Sequence, residues 1–249
     1  MRSSYWIAGM LAALALAGCS KDKTDAPSAT STTQPAQPTQ PGQPGASVPG
    51  AVLNPGALPP AAPAEAPSSP VIGKPAPDFT LEALDGTKVS LASFKGKTVV
   101  LEWFNPQCPF VVKSHTKGSL VGLAKKHIDA GVVWLAVNSS AEGKQGHDPA
   151  VNAQMAKEWG LTHPVLRDVT GAVGKAYGAT NTPNMFVIDP SGTVVYAGAI
   201  DNSPDAEGGS PAGGTLINHV DAALADLAAG RPVATALTKP YGCGVKYGS

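Results

Sequence analysis

The stretch TVVLEWFNPQCPFVVKSH, residues 98–115, decides how the rest of the chain is interpreted. Its first part is a run of apolar and β-branched residues, which predicts a buried strand. An Asn-Pro dipeptide then gives a turn signal, and Cys108 follows it closely. Pro109 stands where a helix takes its first residue, a position that tolerates the missing N–H of proline. The pattern predicts a strand, a tight turn, a cysteine and a helix that continues to about Asp129.

Cys108 is the position in this stretch that points to chemistry. A sulfur at a helix N-terminus faces unpaired N–H groups and the positive end of the helix dipole, and both stabilise a thiolate relative to a thiol. We therefore interpret Cys108 as a redox nucleophile. The alternative is a buried, inert cysteine that packs as a small apolar side chain.

Residues 71–249 read as one domain in which strands and helices alternate. The predicted elements, besides those above, are a hairpin over 79–91, a strand over 132–137, a polar loop over 138–149, a helix over 150–159, an extended piece over 164–167, a helix over 171–177, a hairpin over 185–196, a flexible stretch over 201–214 and an amphipathic helix over 215–229. This order predicts an α/β fold with a central mixed β-sheet flanked by helices.

Residues 1–18 resemble the signal peptide of a bacterial lipoprotein. They carry Arg2, then an apolar run too short to span a bilayer, then small residues. The tetrapeptide LAGC at residues 16–19 resembles a lipobox, which implies cleavage before Cys19 and lipidation of its sulfur. Ser20 implies the outer membrane, on its periplasmic side, by the usual Gram-negative sorting pattern. The alternative is a soluble secreted protein with an accidental cysteine.

Residues 19–70 are rich in Pro, Ala, Gln, Thr, Ser and Gly, and they hold half of the 24 prolines. Between residues 26 and 70 the only charged side chain is Glu65. Such a composition cannot bury enough apolar surface to offset the entropy lost on ordering. We expect a disordered linker that lifts the domain off the membrane.

The charge balance does not favour nucleic acid as a partner, because 18 Lys and Arg face 18 Asp and Glu. The sequence holds neither a zinc-binding pattern nor a Gly-rich phosphate loop. We therefore expect neither a cofactor nor a metal. Of the three cysteines, Cys108 and Cys243 lie in the folded part, and an even pair in an exported protein allows a disulfide.

Several motifs together resemble the thioredoxin-fold redoxins, which include AhpC/TSA-type peroxiredoxins and membrane-tethered thiol–disulfide oxidoreductases. These motifs are PAPDF at 75–79, EWF at 102–104, the Cys108-Pro109 turn and Thr182-Pro183. A closer resemblance, to a peroxiredoxin-like subgroup, rests on CPFV at 108–111, TPNMF at 182–186 and PYGCGVKY at 240–247. The resemblance covers about residues 71–247 and implies a thioredoxin fold. It also implies that Thr182-Pro183 forms a cis-proline loop, which faces the cysteine and presents backbone groups to an extended substrate.

The chain departs from both parent patterns. Thioredoxins have Cys-x-x-Cys, and Val111 stands where the second cysteine would be. Peroxiredoxins carry Pro and Thr or Ser at the positions that hold Leu101 and Asn105 here. We expect Cys243 to replace the missing resolving cysteine, by attacking a mixed disulfide or a sulfenate on Cys108. The alternatives are a permanent structural bridge between the same two sulfurs and two unpaired thiols.

Glu102 and His115 are further candidates. Glu102 stands in an otherwise apolar strand, at a position where the resemblance to thioredoxins implies a buried acid that helps proton transfer at the thiols. Burial would raise its pKa toward the range of a general acid or base; the alternative is a partly exposed carboxylate at the strand end. His115 is two helical turns after Cys108, and we interpret it as solvent-facing. The alternatives are a role in thiolate formation and a soft copper site shared with Met185.

These observations predict an exported, membrane-anchored thiol–disulfide oxidoreductase in which Cys108 attacks, Thr182-Pro183 positions the partner and Cys243 resolves. The expected partners are protein thiols and disulfides or small thiols. One alternative is a peroxiredoxin-like peroxide reductase that uses the same cysteines. A second is a non-catalytic binding or copper-handling domain with a structural Cys108–Cys243 disulfide.

Overall fold

The structure is a computed structural model that describes residues 71–249. The predictions of a signal peptide over 1–18, of lipidation at Cys19 and of a linker over 19–70 lie outside the described residues. Within residues 71–249, no helix is both long enough and apolar enough to cross a membrane.

The domain is built on a seven-stranded mixed sheet with the strand order β2-β1-β5-β4-β3-β7-β8. Strands β3, β4 and β5 run parallel, and the remaining neighbours are antiparallel. A separate small sheet joins β6 to β9. The strands are β1 (Thr80–Ala83), β2 (Lys88–Ser90), β3 (Val99–Trp103), β4 (Val133–Asn138), β5 (Val165–Arg167), β6 (Asn181–Thr182), β7 (Asn184–Ile188), β8 (Val194–Gly198) and β9 (Cys243–Gly244). The predicted central mixed sheet and both predicted hairpins are confirmed.

Helices cover both faces of the large sheet. They are α1 (Pro109–Thr116), α2 (Leu123–Asp129), α3 (Pro149–Glu158), α4 (Ala172–Tyr177) and α5 (His219–Ala228), with a 3-10 turn over Leu91–Phe94. Helices α2 and α5 pack on one face, and α4 packs on the other together with the segment that precedes β1.

Strand β3 is buried along its whole length, as expected for an interior strand of a sheet covered on both faces. Side chains alternate between the two faces. Leu101 and Trp103 belong to one hydrophobic cluster, where the Trp103 and Tyr177 rings lie 5.5 Å apart. Val100 belongs to the opposite cluster, with Trp134. Burial on both faces fixes the end of β3, and with it the turn that carries Cys108.

The predicted helix from Pro109 to Asp129 is wrong in one respect, since the chain leaves the helical path between α1 and α2. Gly118 packs so tightly against the Ala206 carbonyl that a Cβ would overlap its oxygen. Gly122 has φ +71°, a conformation that favours glycine and opens α2. The break lets the chain turn at Gly118, where the segment that contains Ala206 packs against the backbone.

The last helix begins at His219, four residues later than predicted. Asn218 caps it, because its side-chain oxygen accepts a hydrogen bond from the Asp221 N–H. The preceding segment, predicted to be flexible, packs on the rest of the domain. Ala206 is buried there, and Glu207 forms an ion pair with Lys113 of α1 at 3.0 Å.

Replacing Leu101 by Ala is expected to destabilise the domain by about 2–5 kcal/mol, because the side chain is fully buried in β3 and its loss leaves a cavity. Chemical denaturation measures the free energy of unfolding. The control is Val121→Ala, at a residue that is 57% exposed, for which we expect a change within about 0.5 kcal/mol. Equal effects at the two positions would contradict this account of the core.

Candidate active site

Cys108 lies where the sequence predicted it, in the turn between β3 and α1. The Asn105 carboxamide oxygen accepts a hydrogen bond from the Gln107 N–H at 2.9 Å, and the Asn105 carbonyl accepts one from the Cys108 N–H at 3.0 Å. Cys108 is the residue before the first turn of α1, and Pro109 is its first residue. The thiol therefore lies at the N-terminus of this helix, as the sequence predicted.

The polar loop after β4 holds this turn in place. The sequence did not predict this contact. The Gly146 N–H donates to the Gln107 side-chain oxygen at 2.6 Å, and the Gln145 side chain donates to the Gln107 carbonyl at 3.1 Å. The Asn105 amide donates to the Gln145 carbonyl at 3.3 Å. Gly146 lies so close to Asn105 that a Cβ would overlap the Asn105 side chain. The only sequence signal was a loop with several turn-forming residues, which does not indicate what the loop contacts.

Thr182-Pro183 faces the cysteine, as the resemblance implied. The peptide bond between them is cis. The Cys108 thiol donates a hydrogen bond to the Thr182 carbonyl at 3.1 Å, and Cys108 is fully buried. Asn184 braces the loop by accepting from the Thr180 N–H and donating to the Gly198 carbonyl.

Cys243 reaches the same place from the other end of the domain. It lies on β9, where its Cα is paired with that of Thr182 on β6. Burial, a hydrogen bond with the Cys108 side chain and the charge of Cys108 raise the pKa of Cys243 to about 11, although Lys246 acts in the opposite direction. Both cysteines are free thiols, Cys108 buried and Cys243 half-buried. The structure therefore brings together the two sulfurs that the sequence singled out.

Glu102 is fully buried, and among the described residues its side chain makes hydrogen bonds to His115 and Trp134 rather than to Cys108. The His115 Nε2 lies 2.6 Å from Glu102 Oε1, and the Trp134 indole donates to Oε2 at 3.1 Å. Burial raises the pKa of Glu102, but the attraction of His115 and these hydrogen bonds outweigh it, so the pKa lies below its usual range. The expected rise is therefore wrong, and the carboxylate is ionised at neutral pH.

The interpretation of His115 as solvent-facing is wrong. Its side chain is buried, and its ring stacks on Trp159 with the centroids 5.0 Å apart. Helical periodicity placed His115 on the face of Cys108, but it could not show that a carboxylate on β3 lies beneath that face. The described residues contain no group of three or more His, Cys, Asp or Glu side chains arranged to hold a metal.

His163 is a buried histidine near this pair that sequence reasoning left unassigned. Neither ring nitrogen has a hydrogen-bond partner among the described residues, and the ring borders a cavity of about 80 Å³ that His115 and Trp159 also line. Burial lowers the pKa of His163 to about 4, with Glu102 opposing the shift. The ring is therefore neutral at pH 7.

A cavity of about 550 Å³ lies away from this chemistry. Its lining includes Pro75, Phe94, Val99 and Pro190. Neither a cysteine nor a histidine is among the lining residues. The candidate active site is instead the place where the N-terminus of α1 meets β6 and β9.

Comparison with known proteins agrees with this arrangement. The profile of the redoxin family matches residues 72–210, more than half of the chain. The chain belongs to the redoxin family. The thioredoxin-like fold implied by the sequence motifs is confirmed. The match ends before Cys243, so the second sulfur of the site comes from outside the matched part of this redoxin.

Two relatives carry different names. The redoxin is 33% identical over 124 residues to the thiol-disulfide oxidoreductase ResA of Bacillus thuringiensis subsp. konkukian, an alignment that covers 50% of this chain and 67% of the relative. It is 30% identical over 141 residues to a protein of Clostridium pasteurianum named as a putative peroxiredoxin in a rubredoxin operon, covering 51% of this chain and 77% of that one.

A solved structure covers more of the chain. The crystal structure of an uncharacterized conserved protein from Geobacillus kaustophilus is similar with a TM-score of 0.63 and 33% identity, over 72% of this chain and 95% of the other.

His163→Leu is expected to flatten the pH dependence of stability. The unfolded chain protonates His163 below its ordinary value of 6.5, whereas the folded protein does so only near pH 4, so acid favours unfolding between these values. The free energy of unfolding of the variant, minus that of wild type, should therefore rise by about 1 kcal/mol for each pH unit by which the pH falls in this range. Urea denaturation at pH 7, 6 and 5 measures it.

The control is Val121→Ala, at an exposed side chain that does not titrate. This variant should keep the wild-type slope. Parallel stability curves for wild type and His163→Leu would overturn the role assigned to His163.

Proposed function

We propose that this redoxin carries out thiol–disulfide exchange through the Cys108 and Cys243 pair, which is a disulfide in the oxidised state and two thiols in the reduced state. The observation that carries the proposal is the proximity of the two sulfurs beside Thr182. In the first turn of α1, Val111 stands where the thioredoxin pattern has its second cysteine. Cys243 supplies the missing sulfur from another part of the chain.

The surroundings of Cys108 favour this chemistry. A thiolate is both the attacking and the leaving form of sulfur in exchange reactions, and a helix N-terminus stabilises it. Thr182 and Pro183 form the wall against which the sulfurs meet, and we assign them the binding of the partner. The carbonyl of Thr182 already orients the Cys108 thiol.

The N-terminal sequence supports an extracytoplasmic setting for the reaction, and a named relative supports its chemistry. The name thiol-disulfide oxidoreductase belongs to the Bacillus relative and is consistent with the same activity here. The lipobox-like LAGC at 16–19 supports a membrane anchor on Cys19, with the outer membrane facing the periplasm as the site. The partners would be protein or small-molecule thiols and disulfides.

Peroxide reduction is the second candidate, and the relative named as a putative peroxiredoxin favours it. In that reaction a thiolate of the pair would form a sulfenate, and the other thiol would close the disulfide with release of water. The peroxiredoxin pattern has Pro and Thr or Ser at the positions of Leu101 and Asn105. Here Leu101 packs in the core, and the Asn105 side chain accepts a hydrogen bond within the turn. Exchange therefore remains the better supported activity.

A redox titration of the full chain tests the proposal. The protein is equilibrated over a glutathione series, free thiols are alkylated, and the Cys108 and Cys243 peptides are weighed by mass spectrometry. We expect a bond between these two residues that opens near about −200 mV, in the range of known oxidoreductases.

A bond that stays closed well below about −300 mV would mean a structural disulfide and would overturn the proposal. Cys108→Ser and Cys243→Ser are the matched controls, since each should abolish the bond. Binding of Cu(I) without redox cycling would point instead to the copper-handling alternative. Peroxide that oxidises the pair much faster than oxidised glutathione does would favour the second candidate.

Glu102 is proposed to exchange protons with the sulfur pair, as a buried carboxylate that is ionised at neutral pH and hydrogen-bonded to His115 of α1. Glu102→Gln keeps the shape of the side chain and removes its charge. We expect disulfide exchange to slow by at least about tenfold and its pH profile to change shape. The measurement is the rate of reduction by glutathione between pH 5 and pH 9.

Glu82→Gln, at an exposed position on β1, is the control and should leave both the rate and the pH profile unchanged. If Glu102→Gln alters only the free energy of unfolding while rate and profile stay as in wild type, Glu102 has a structural role alone.

A further inference from the structure

The segment from Pro240 to Tyr247, here called the C-terminal strap, covers the edge of β6 next to Cys108. Its strand β9 pairs with β6 through Thr182 and Cys243. The Val245 N–H donates to the Thr180 carbonyl at 3.0 Å, which continues the ladder. The strap thus occupies the backbone edge to which the sequence motifs assigned an extended substrate.

The strap is anchored on both sides of Cys243. On one side, the Tyr241 hydroxyl donates to Asp201 at 2.9 Å, and its ring lies 6.2 Å from that of Phe110. On the other side, the Tyr247 hydroxyl donates to the Ala179 carbonyl at 2.7 Å. Bonds on both sides hold the strap against the site.

Gly242 shows how closely the strap approaches the loop. Its φ is +103°, and a Cβ at this position would overlap the Thr182 carbonyl oxygen and lie 3.1 Å from Pro183 Cδ. A side chain here would push the strap away, so the absence of one brings the two backbones into contact. No space remains between them for a further peptide strand.

The two sulfurs differ in their access to solvent. Cys108 is fully buried under the strap and against Thr182, whereas Cys243 is half-buried. A reagent that approaches the oxidised pair from solvent therefore meets Cys243 first.

We propose that Cys243 is the sulfur that exchanges with the external partner, that Cys108 is the interior sulfur of the pair, and that the partner is a small thiol or disulfide rather than an extended polypeptide. This inference rests on the proposed function and deepens it. The sequence pattern assigned the first contact to Cys108; the burial of the two sulfurs favours the reverse order.

The reaction balances as two exchanges. An external thiolate attacks Cys243 Sγ, a bond forms between these sulfurs, and the Cys108–Cys243 bond breaks with its electron pair on Cys108 Sγ. A second external thiolate then attacks the sulfur of the first, releases the Cys243 thiolate and leaves the small molecule as a disulfide. Cys108 and Cys243 are reduced, two external thiols are oxidised to one disulfide, and the two protons that those thiols lose are taken up by the Cys108 and Cys243 thiolates.

The test uses the oxidised wild-type full chain, so that no substitution disturbs the fold. It is mixed with excess reduced glutathione, quenched at short times with N-ethylmaleimide and mapped by peptide mass spectrometry, with the Cys19 peptide read separately. We expect glutathione on Cys243 and the maleimide on Cys108. Glutathione on Cys108 and the maleimide on Cys243 would overturn the proposal.

A second measurement addresses the class of partner. Reduction of the same disulfide by glutathione is compared with reduction by an unfolded ten-residue peptide that has one central cysteine. We expect glutathione to react at least tenfold faster, and a peptide that reacts as fast or faster would overturn the assignment.

These outcomes separate the inference from the function on which it rests. If the bond opens in the redox titration but glutathione is found on Cys108, the order of the sulfurs is wrong and the proposed exchange stands. If no reducible Cys108–Cys243 bond forms, the exchange function itself is wrong.

Discussion

One residue, Thr182, sets the position of both sulfurs. Its carbonyl accepts the hydrogen bond of the Cys108 thiol, and its Cα is paired with that of Cys243. The first contact depends on the end of β3 and the start of α1, and the second depends on a strand from near the end of the chain. Burial of β3 on both faces keeps the first element in place, while the Asn184 side chain braces the loop that holds Thr182. The site therefore depends on contacts between segments far apart in sequence.

Beneath α1, the Glu102 and His115 pair places a charge inside an otherwise apolar face of the sheet. A buried carboxylate has lost its contacts with water, and its hydrogen bonds must offset that cost. Two hydrogen-bond donors, one from His115 and one from Trp134, satisfy the carboxylate. Apolar side chains would fill the same space at a lower desolvation cost.

Much of the fold follows from local sequence patterns, whereas the details of the site depend on distant contacts. Neighbouring residues predict the strand, turn, cysteine and helix around Cys108, and the structure has these elements in that order. The break between α1 and α2 depends on the approach of Ala206 to Gly118, which no local pattern encodes. Strands β6 and β9 have two residues each and carry no periodicity to detect. The surroundings of His115 were misjudged because a helical face does not reveal what covers it.

The C-terminal strap gives the redox state of the site a topological consequence. A bond between Cys108 and Cys243 closes a covalent ring that contains β4, β5, β7 and β8, which form most of the large sheet. Closing so long a ring removes chain entropy from the unfolded ensemble and favours the folded one by about 5 kcal/mol. In the reduced protein only hydrogen bonds and packing hold the strap, and that constraint is absent. Oxidation of the two sulfurs would then increase the resistance of the whole domain to unfolding and to proteolysis.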